Sequence, residues 1–136
     1  MNRVLLVDDD RSIRRIAQIT LSEVGHFEVI VATSGAEALK LALEQQPDLV
    51  LLDVMMPDMD GFATLIKLQK EPKTAAIPVI FMTASVSQDE QKHYRTLGVR
   101  GVILKPFDPM TLPDQIKQIL DNEPGEEPVD GATIKS

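Results

Sequence analysis

The chain contains no cysteine in its 136 residues. That excludes disulfide staples, thiolate zinc sites and cysteine nucleophiles, although it does not identify a redox compartment. It has no surplus of basic charge either: 14 Lys and Arg stand against 21 Asp and Glu, for a net charge of −7. A phosphate backbone demands a basic face, so nucleic acid is not an expected partner. No apolar run approaches the roughly 18 residues of a membrane span. The first residues enter a strand almost at once, without the layout of a signal peptide, so the expected address is cytoplasmic. Neither G-x-G-x-x-G nor G-x-x-x-x-G-K-[ST] follows the first strand, which argues against a nucleotide-binding module. There is no internal repeat at solenoid periods.

What is present is an ordinary globular composition, 43% hydrophobic and 26% charged, at a length suited to one domain with a real core. The charge is uneven. Residues 121–136 carry five acids and one base, so the other 120 residues are nearly balanced at −3. The stretch from Asn122 onward also holds prolines and glycines and shows no periodicity. Residues 1–121 are expected to form the domain, and 122–136 an acidic, disordered tail or the start of a linker.

The organising stretch runs from Asp48 to Gly61. Leu49 to Leu52 is a short, wholly apolar run, as in a strand of a parallel sheet covered on both faces. It stops at Asp53, and Pro57, Asp58, Asp60 and Gly61 then mark a loop. Open α/β sheets place their ligands at the carboxyl ends of their strands, which is where Asp53 falls. A lone Asp there more often starts a turn or caps a helix, so the remaining strands decide.

Arg3 to Val7 reads as the first strand and ends at Asp8, Asp9 and Asp10. Ile13, Ile16, Ala17, Leu21 and Val24 recur at helical spacing up to Gly25. Phe27 to Ala32 is a second strand. Ser34 and Glu37 have capping-box spacing ahead of a helix striped by Ala36, Leu39, Ala42 and Leu43. Phe62, Leu65 and Ile66 mark a third helix. Val79 to Met82 is a fourth strand, finishing at Thr83. Ser87 and Glu90 repeat the capping-box spacing before a helix with a thin, mixed apolar face. Arg100 to Leu104 is a fifth strand, ending at Lys105 and Pro106. Leu112, Ile116, Ile119 and Leu120 give a last helix, with Pro113 tolerable in its first turn. Five strands alternating with five helices call for an α/β fold, a parallel sheet with helices on both faces.

In such a sheet one edge collects Asp8, Asp9, Asp10, Asp53, Thr83 and Lys105. Like charges about 4 Å apart cost on the order of 4 kcal/mol per pair at an effective dielectric near 20, and a bound cation relieves that. An all-oxygen donor set selects a hard ion, Mg²⁺ ahead of Mn²⁺ or Ca²⁺. Lys105 and Thr83 then supply a cation and a hydroxyl for an anion such as a phosphoryl group. Asp10 sits where the N-cap of the first helix belongs. His26 and His93 fall away from this edge and are expected to be surface residues. The methionines at 55, 56 and 59 suit packing, since thioethers prefer soft metals.

Four pieces in order, Val4-Leu-Leu-Val-Asp8-Asp9, Asp53-Val-Met-Met-Pro57-Asp-Met-Asp-Gly61, Met82-Thr83-Ala84 and Leu104-Lys105-Pro106-Phe107, resemble the receiver domain of two-component response regulators. The resemblance covers residues 3 to about 121. It implies a flavodoxin-like (βα)5 fold with strand order 2-1-3-4-5. It implies that Asp53 is the phosphoacceptor, a carboxylate nucleophile toward a phosphohistidine. Asp9 is then the direct Mg²⁺ ligand and Asp8 its partner through a metal-bound water, with Asp53 and the Met55 carbonyl completing the protein's share. Thr83 and the Ala84 N–H would meet the phosphoryl oxygens and Lys105 would pair with them, next to a cis Lys105–Pro106 bond. The implied partners are a histidine kinase or histidine phosphotransfer protein, and a downstream protein at the face of helix 4, strand 5 and helix 5. Three positions depart from the family's habit. Val102 stands where an aromatic is common, and Met55 and Ser85, which flank the phosphoryl group, offer no carboxylate or amide to orient water. The alternative is the receiver portion of a longer multidomain regulator, with the output domain absent here; an aspartate-nucleophile phosphatase is the less expected, enzymatic one. It needs a second acid two residues after the nucleophile, where this chain has Met55.

Overall fold

Every residue of Leu49–Asp53 is buried, a condition met by a strand with both faces and both edges covered. In the computed structural model this strand, β3, is the middle of a five-stranded sheet ordered β2-β1-β3-β4-β5. The structure describes residues 3–57, 59–84 and 86–121. The expectations for Ser85 and for the tail at 122–136 lie outside the described residues. β1 (Arg3–Val7), β2 (Glu28–Ala32), β4 (Val79–Thr83) and β5 (Gly101–Leu104) complete the sheet, and all four pairings are parallel. Parallel neighbours need a crossover. These are α1 (Arg11–Ile19), α2 (Gly35–Gln45), α3 (Gly61–Lys70) and α4 (Gln88–Thr96), with α5 (Leu112–Asp121) closing the chain. The expected doubly wound order is therefore the observed one.

Alternate strand residues point to opposite faces. Val4, Leu6, Leu49, Leu51, Ile80 and Met82 pack with Ala17 of α1, Leu21 just beyond it and Ile116 of α5. Leu5, Val7, Val50, Leu52 and Phe81 pack with α2, α3 and α4 on the other side. Tyr94 is the one buried residue of α4. It is fixed by ring contacts to Phe81 at 5.3 Å and Phe62 at 5.5 Å, which is how a helix with so thin an apolar face stays docked.

Local chemistry sets the boundaries. Asp10 caps α1, accepting from Ser12 and Ile13 N–H at 2.8 and 3.2 Å. After α1 the chain widens into a π-helical turn, Thr20–Val24, and stops at Gly25. Ser87 and Glu90 form the full reciprocal capping box. At α2 the box is displaced: Ser34 accepts from Glu37 N–H, but the Glu37 carboxylate reaches back to Thr33 N–H at 2.6 Å. Ile16, Leu43 and Ile66, expected within apolar stripes, are exposed flanks of their helices. The apolar period identified the helices but drew their buried faces too wide.

Gly61 determines how α3 meets the site. A Cβ there would lie 2.6 Å from the Asp53 carbonyl oxygen and 2.8 Å from Val54 Cα. Its N–H donates to the Val54 carbonyl at 2.9 Å, closing the loop that follows β3. The obstacle is backbone and cannot rotate away. Gly61→Ala is accordingly expected to lower unfolding free energy by about 2 kcal/mol, read as a lower urea midpoint at unchanged slope. An unchanged midpoint contradicts the close approach.

Candidate functional site

The carboxyl ends of β1, β3 and β5 bring Asp8, Asp53 and Lys105 into direct contact. Asp8 directly follows Val7, the last residue of β1 and the register partner of Leu52, so its neighbour across the edge is Asp53. Asp8 is fully buried and Asp53 is 3% exposed. Lys105 follows β5 and is tied back by its N–H to the Thr83 carbonyl at 2.8 Å. Its Nζ lies 2.7 Å from Asp8 Oδ2 and 3.2 Å from Asp53 Oδ1. The ammonium thus bridges two buried carboxylates, and the closer of the two is Asp8. The Lys105–Pro106 peptide bond is cis, as the resemblance implied.

The end of β1 is held by groups the sequence did not flag. Asp8 Oδ1 accepts from Asp10 N–H at 2.9 Å, and the Arg14 guanidinium donates to the Asp8 carbonyl oxygen at 2.9 Å. Arg14 is one turn into α1, and only its position over the strand end distinguishes it from neighbouring arginines. Met55 N–H donates to Asp53 Oδ1 at 3.2 Å. Both of these Asp53 contacts, from Lys105 and from Met55, fall on the same oxygen. The Met55 side chain is 74% exposed. Asp9 stands exposed at the lip, Thr83 is buried at the end of β4, and Ala84 is exposed just beyond it. His26 and His93 are exposed and take no part.

Burial and then the charge of Asp8 raise the Asp53 pKa from 3.8 to about 6, against the opposing pull of Lys105. For Lys105, burial works against the charged form, but the hydrogen bond and charge of Asp8, reinforced by Asp53, outweigh it and hold the pKa above its ordinary value. The ammonium therefore remains charged wherever Asp53 ionises. Asp8, Asp9 and Asp53 each offer a carboxylate oxygen, and these lie within 4.8 Å of one another. Asp8 Oδ2 is buried and, apart from the ammonium, meets no donor. A cluster of three carboxylates, two of them sharing one ammonium, fits a hard divalent cation.

Residues 4–117 match the family model for the response regulator receiver domain. The chain belongs to that family. Among curated relatives, the receiver is 37% identical over 118 residues to a probable transcriptional regulator, ycf27, of Guillardia theta, covering 87% of this chain and 45% of that protein. It is 33% identical to the DNA-binding dual master transcriptional regulator RpaA of Synechocystis, covering 88% and 49%. The chain thus spans about half the length of these relatives. The chemotaxis protein CheY4 of Vibrio cholerae superposes with a TM-score of 0.81 at 33% identity, covering 88% of this chain and 98% of that one. The family is a phosphoacceptor switch whose members meet histidine kinases and downstream effectors. Among the described residues, no helix of this receiver is long and apolar enough to cross a membrane.

The raised pKa of Asp53 has a thermodynamic consequence. Between 3.8 and about 6 the unfolded chain has released this proton while the folded protein keeps it. The unfolded state then binds fewer protons, so this group's contribution to stability is full at low pH and is lost as pH rises through that interval. In metal-free buffer, Asp53→Asn is expected to gain stability relative to the wild type from about pH 4 to about pH 6, and the difference should then level off. Urea midpoints of both proteins across that range measure it. A difference that stays flat or shrinks with rising pH contradicts the burial of an ionising Asp53.

Proposed function

We propose that this receiver accepts a phosphoryl group on Asp53 from a phosphohistidine of a histidine kinase or histidine phosphotransfer protein, and that the phosphorylated state alters how a downstream protein binds the face of α4, β5 and α5. The observation that carries this reading is the single ammonium shared by Asp8 and Asp53 at 2.7 and 3.2 Å. With a pKa of about 6, Asp53 is largely ionised near neutrality and can act as a nucleophile. Oδ1 is engaged by Lys105 and Met55, so Oδ2 is the oxygen we assign to attack. It forms the new bond to phosphorus as the phosphorus–nitrogen bond to the donor imidazole breaks, and the bonding pair leaves with that nitrogen.

Lys105 then exchanges a carboxylate partner for a phosphoryl oxygen without losing Asp8. Thr83, at the end of the adjacent strand, supplies a hydroxyl to another phosphoryl oxygen, and Ala84 supplies its backbone N–H. Mg²⁺ would be held by Asp8, Asp9, Asp53 and the Met55 carbonyl, and when bound it supplies positive charge that offsets the repulsion between phosphoryl oxygens and carboxylates. The phosphatase alternative has no support at position 55, where a mostly exposed thioether can neither donate nor accept a proton.

Incubation with acetyl phosphate and Mg²⁺ should add one phosphate to the wild type and none to Asp53→Asn, as measured by intact-protein mass. The substitution is nearly isosteric, but an amide is not a nucleophile. Equal labelling of the variant, mapped to another residue, would overturn the assignment of Asp53.

A further inference from the structure

Three acids, Asp8, Asp9 and Asp10, stand between the end of β1 and the start of α1. Their backbone must turn from sheet to helix while the carboxylates of Asp8 and Asp9 stay in one cluster. The Asp8 N–H makes the last bond to β2, donating to the Ala32 carbonyl at 3.2 Å. The Asp10 N–H donates to Asp8 Oδ1, and the Asp10 carboxylate and carbonyl are taken by N–H groups of α1. The Asp8 carbonyl has no backbone donor among the described residues, and its partner is Arg14 Nη1 at 2.9 Å. That carbonyl belongs to the peptide plane joining Asp8 to Asp9, and a peptide plane turns as a unit. Whatever holds the carbonyl therefore sets the direction in which Asp9 starts. The Asp9 residue is exposed, and among the described residues no hydrogen bond or ion pair anchors its carboxylate.

The helix itself delivers Arg14 to this place. Its N–H donates to the Asp10 carbonyl at 3.0 Å, so the residue that caps α1 also sets Arg14 one turn above the strand end. Arg14 is half-buried, whereas Arg11 and Arg15 are exposed. A cation placed to neutralise the acidic cluster would pair with a carboxylate, as Lys105 does. The Arg14 guanidinium takes a backbone oxygen instead. We infer that Arg14 is a positioning residue of the metal site: by holding the Asp8 carbonyl it fixes the Asp8–Asp9 peptide, keeps the Asp9 carboxylate beside those of Asp8 and Asp53, and so strengthens the binding of a divalent cation although it is itself positively charged. The inference rests on the reading of Asp8, Asp9 and Asp53 as that cation's site. Groups that orient a metal ligand from outside are worth about 10–100-fold in affinity. A neighbouring positive charge acts in the opposite sense, so the sign of the change on removing Arg14 separates position from charge.

The experiment titrates Mg²⁺ into the whole protein, with no phosphodonor present, and takes the dissociation constant from amide chemical shifts. Arg14→Met keeps the stem and loses the guanidinium, and it should weaken Mg²⁺ binding about ten-fold. Arg15→Met removes the same charge one residue along and should leave binding unchanged or slightly tighter. Arg14→Lys keeps the charge and a single donor, and it should fall between the wild type and Arg14→Met. Metal-free Arg14→Met should retain the wild-type amide shifts of β3 and β4, which shows that the weakening is not a loss of fold. If it does not retain them, Arg14→Lys decides in its place. Mg²⁺ binding by Arg14→Met or Arg14→Lys as tight as in the wild type or tighter, or an equal weakening in Arg15→Met, would overturn the inference and leave the cation site standing. Absence of any Mg²⁺-dependent shift at Asp8, Asp9 and Asp53 in the wild type would instead remove the site, and the role of Arg14 with it.

Discussion

Two carboxylates, Asp8 and Asp53, are buried side by side at the end of the sheet with one ammonium between them. Paired charges in the interior are weak evidence for stability, because desolvation offsets most of the attraction. Here the balance is worse than pairwise, since one cation serves two anions. Burial and then the charge of Asp8 push the Asp53 pKa up, against the pull of Lys105. An arrangement that costs folding energy and leaves two buried carboxylates on one ammonium is the expected signature of a site organised around something it binds. On the function proposed above, a divalent cation would bring the missing positive charge and a phosphoryl group would give Lys105 a new anion to hold.

The remainder of the architecture serves to keep those groups in place. A parallel sheet delivers every carboxyl strand end to one edge, and the register sets Asp8 beside Asp53. Arg14 and the Asp10 N–H fasten the end of β1. Gly61 lets the start of α3 lie on the backbone of Asp53 and Val54, so the loop carrying Met55 has a fixed far end. The link to the outer face is just as direct. Lys105 follows β5, whose residues Val102 and Ile103 line a cavity between α4 and α5, and its N–H is bonded to β4 at Thr83.

Much of this was legible in the residues. The apolar runs ending in Asp8, Asp53, Thr83 and Lys105 are strand ends by composition alone, and the alternation of strands with helices left a parallel sheet as the natural arrangement. Asp10 and Ser87 announced their caps by type and spacing. What escaped depends on distance through space. The cap at Ser34 falls where the spacing puts it, but the Glu37 carboxylate reaches one residue past it to the Thr33 N–H, a side-chain placement that spacing does not encode. Gly61 reads as a turn residue, whereas its necessity comes from backbone packed against it. The preference of Lys105 for Asp8 over Asp53 and the reach of Arg14 to the Asp8 carbonyl follow from side-chain geometry that no periodicity encodes. Val102 was visible as a small residue, but the cavity it leaves required the positions of α4 and α5.

The central claim is that the crowding of Asp8, Asp9 and Asp53 is relieved by a hard divalent cation. It is tested most directly by the thermal midpoint of the wild type and of Asp9→Ala, each titrated with Mg²⁺ in buffer free of phosphate donors. A ligand that binds the folded cluster and not the unfolded chain raises the midpoint by mass action. The account predicts a concentration-dependent rise for the wild type and none for Asp9→Ala, whose metal-free midpoint should equal or exceed that of the wild type because one repelling charge is gone. A full Mg²⁺ response in Asp9→Ala, or no response in the wild type, would contradict it.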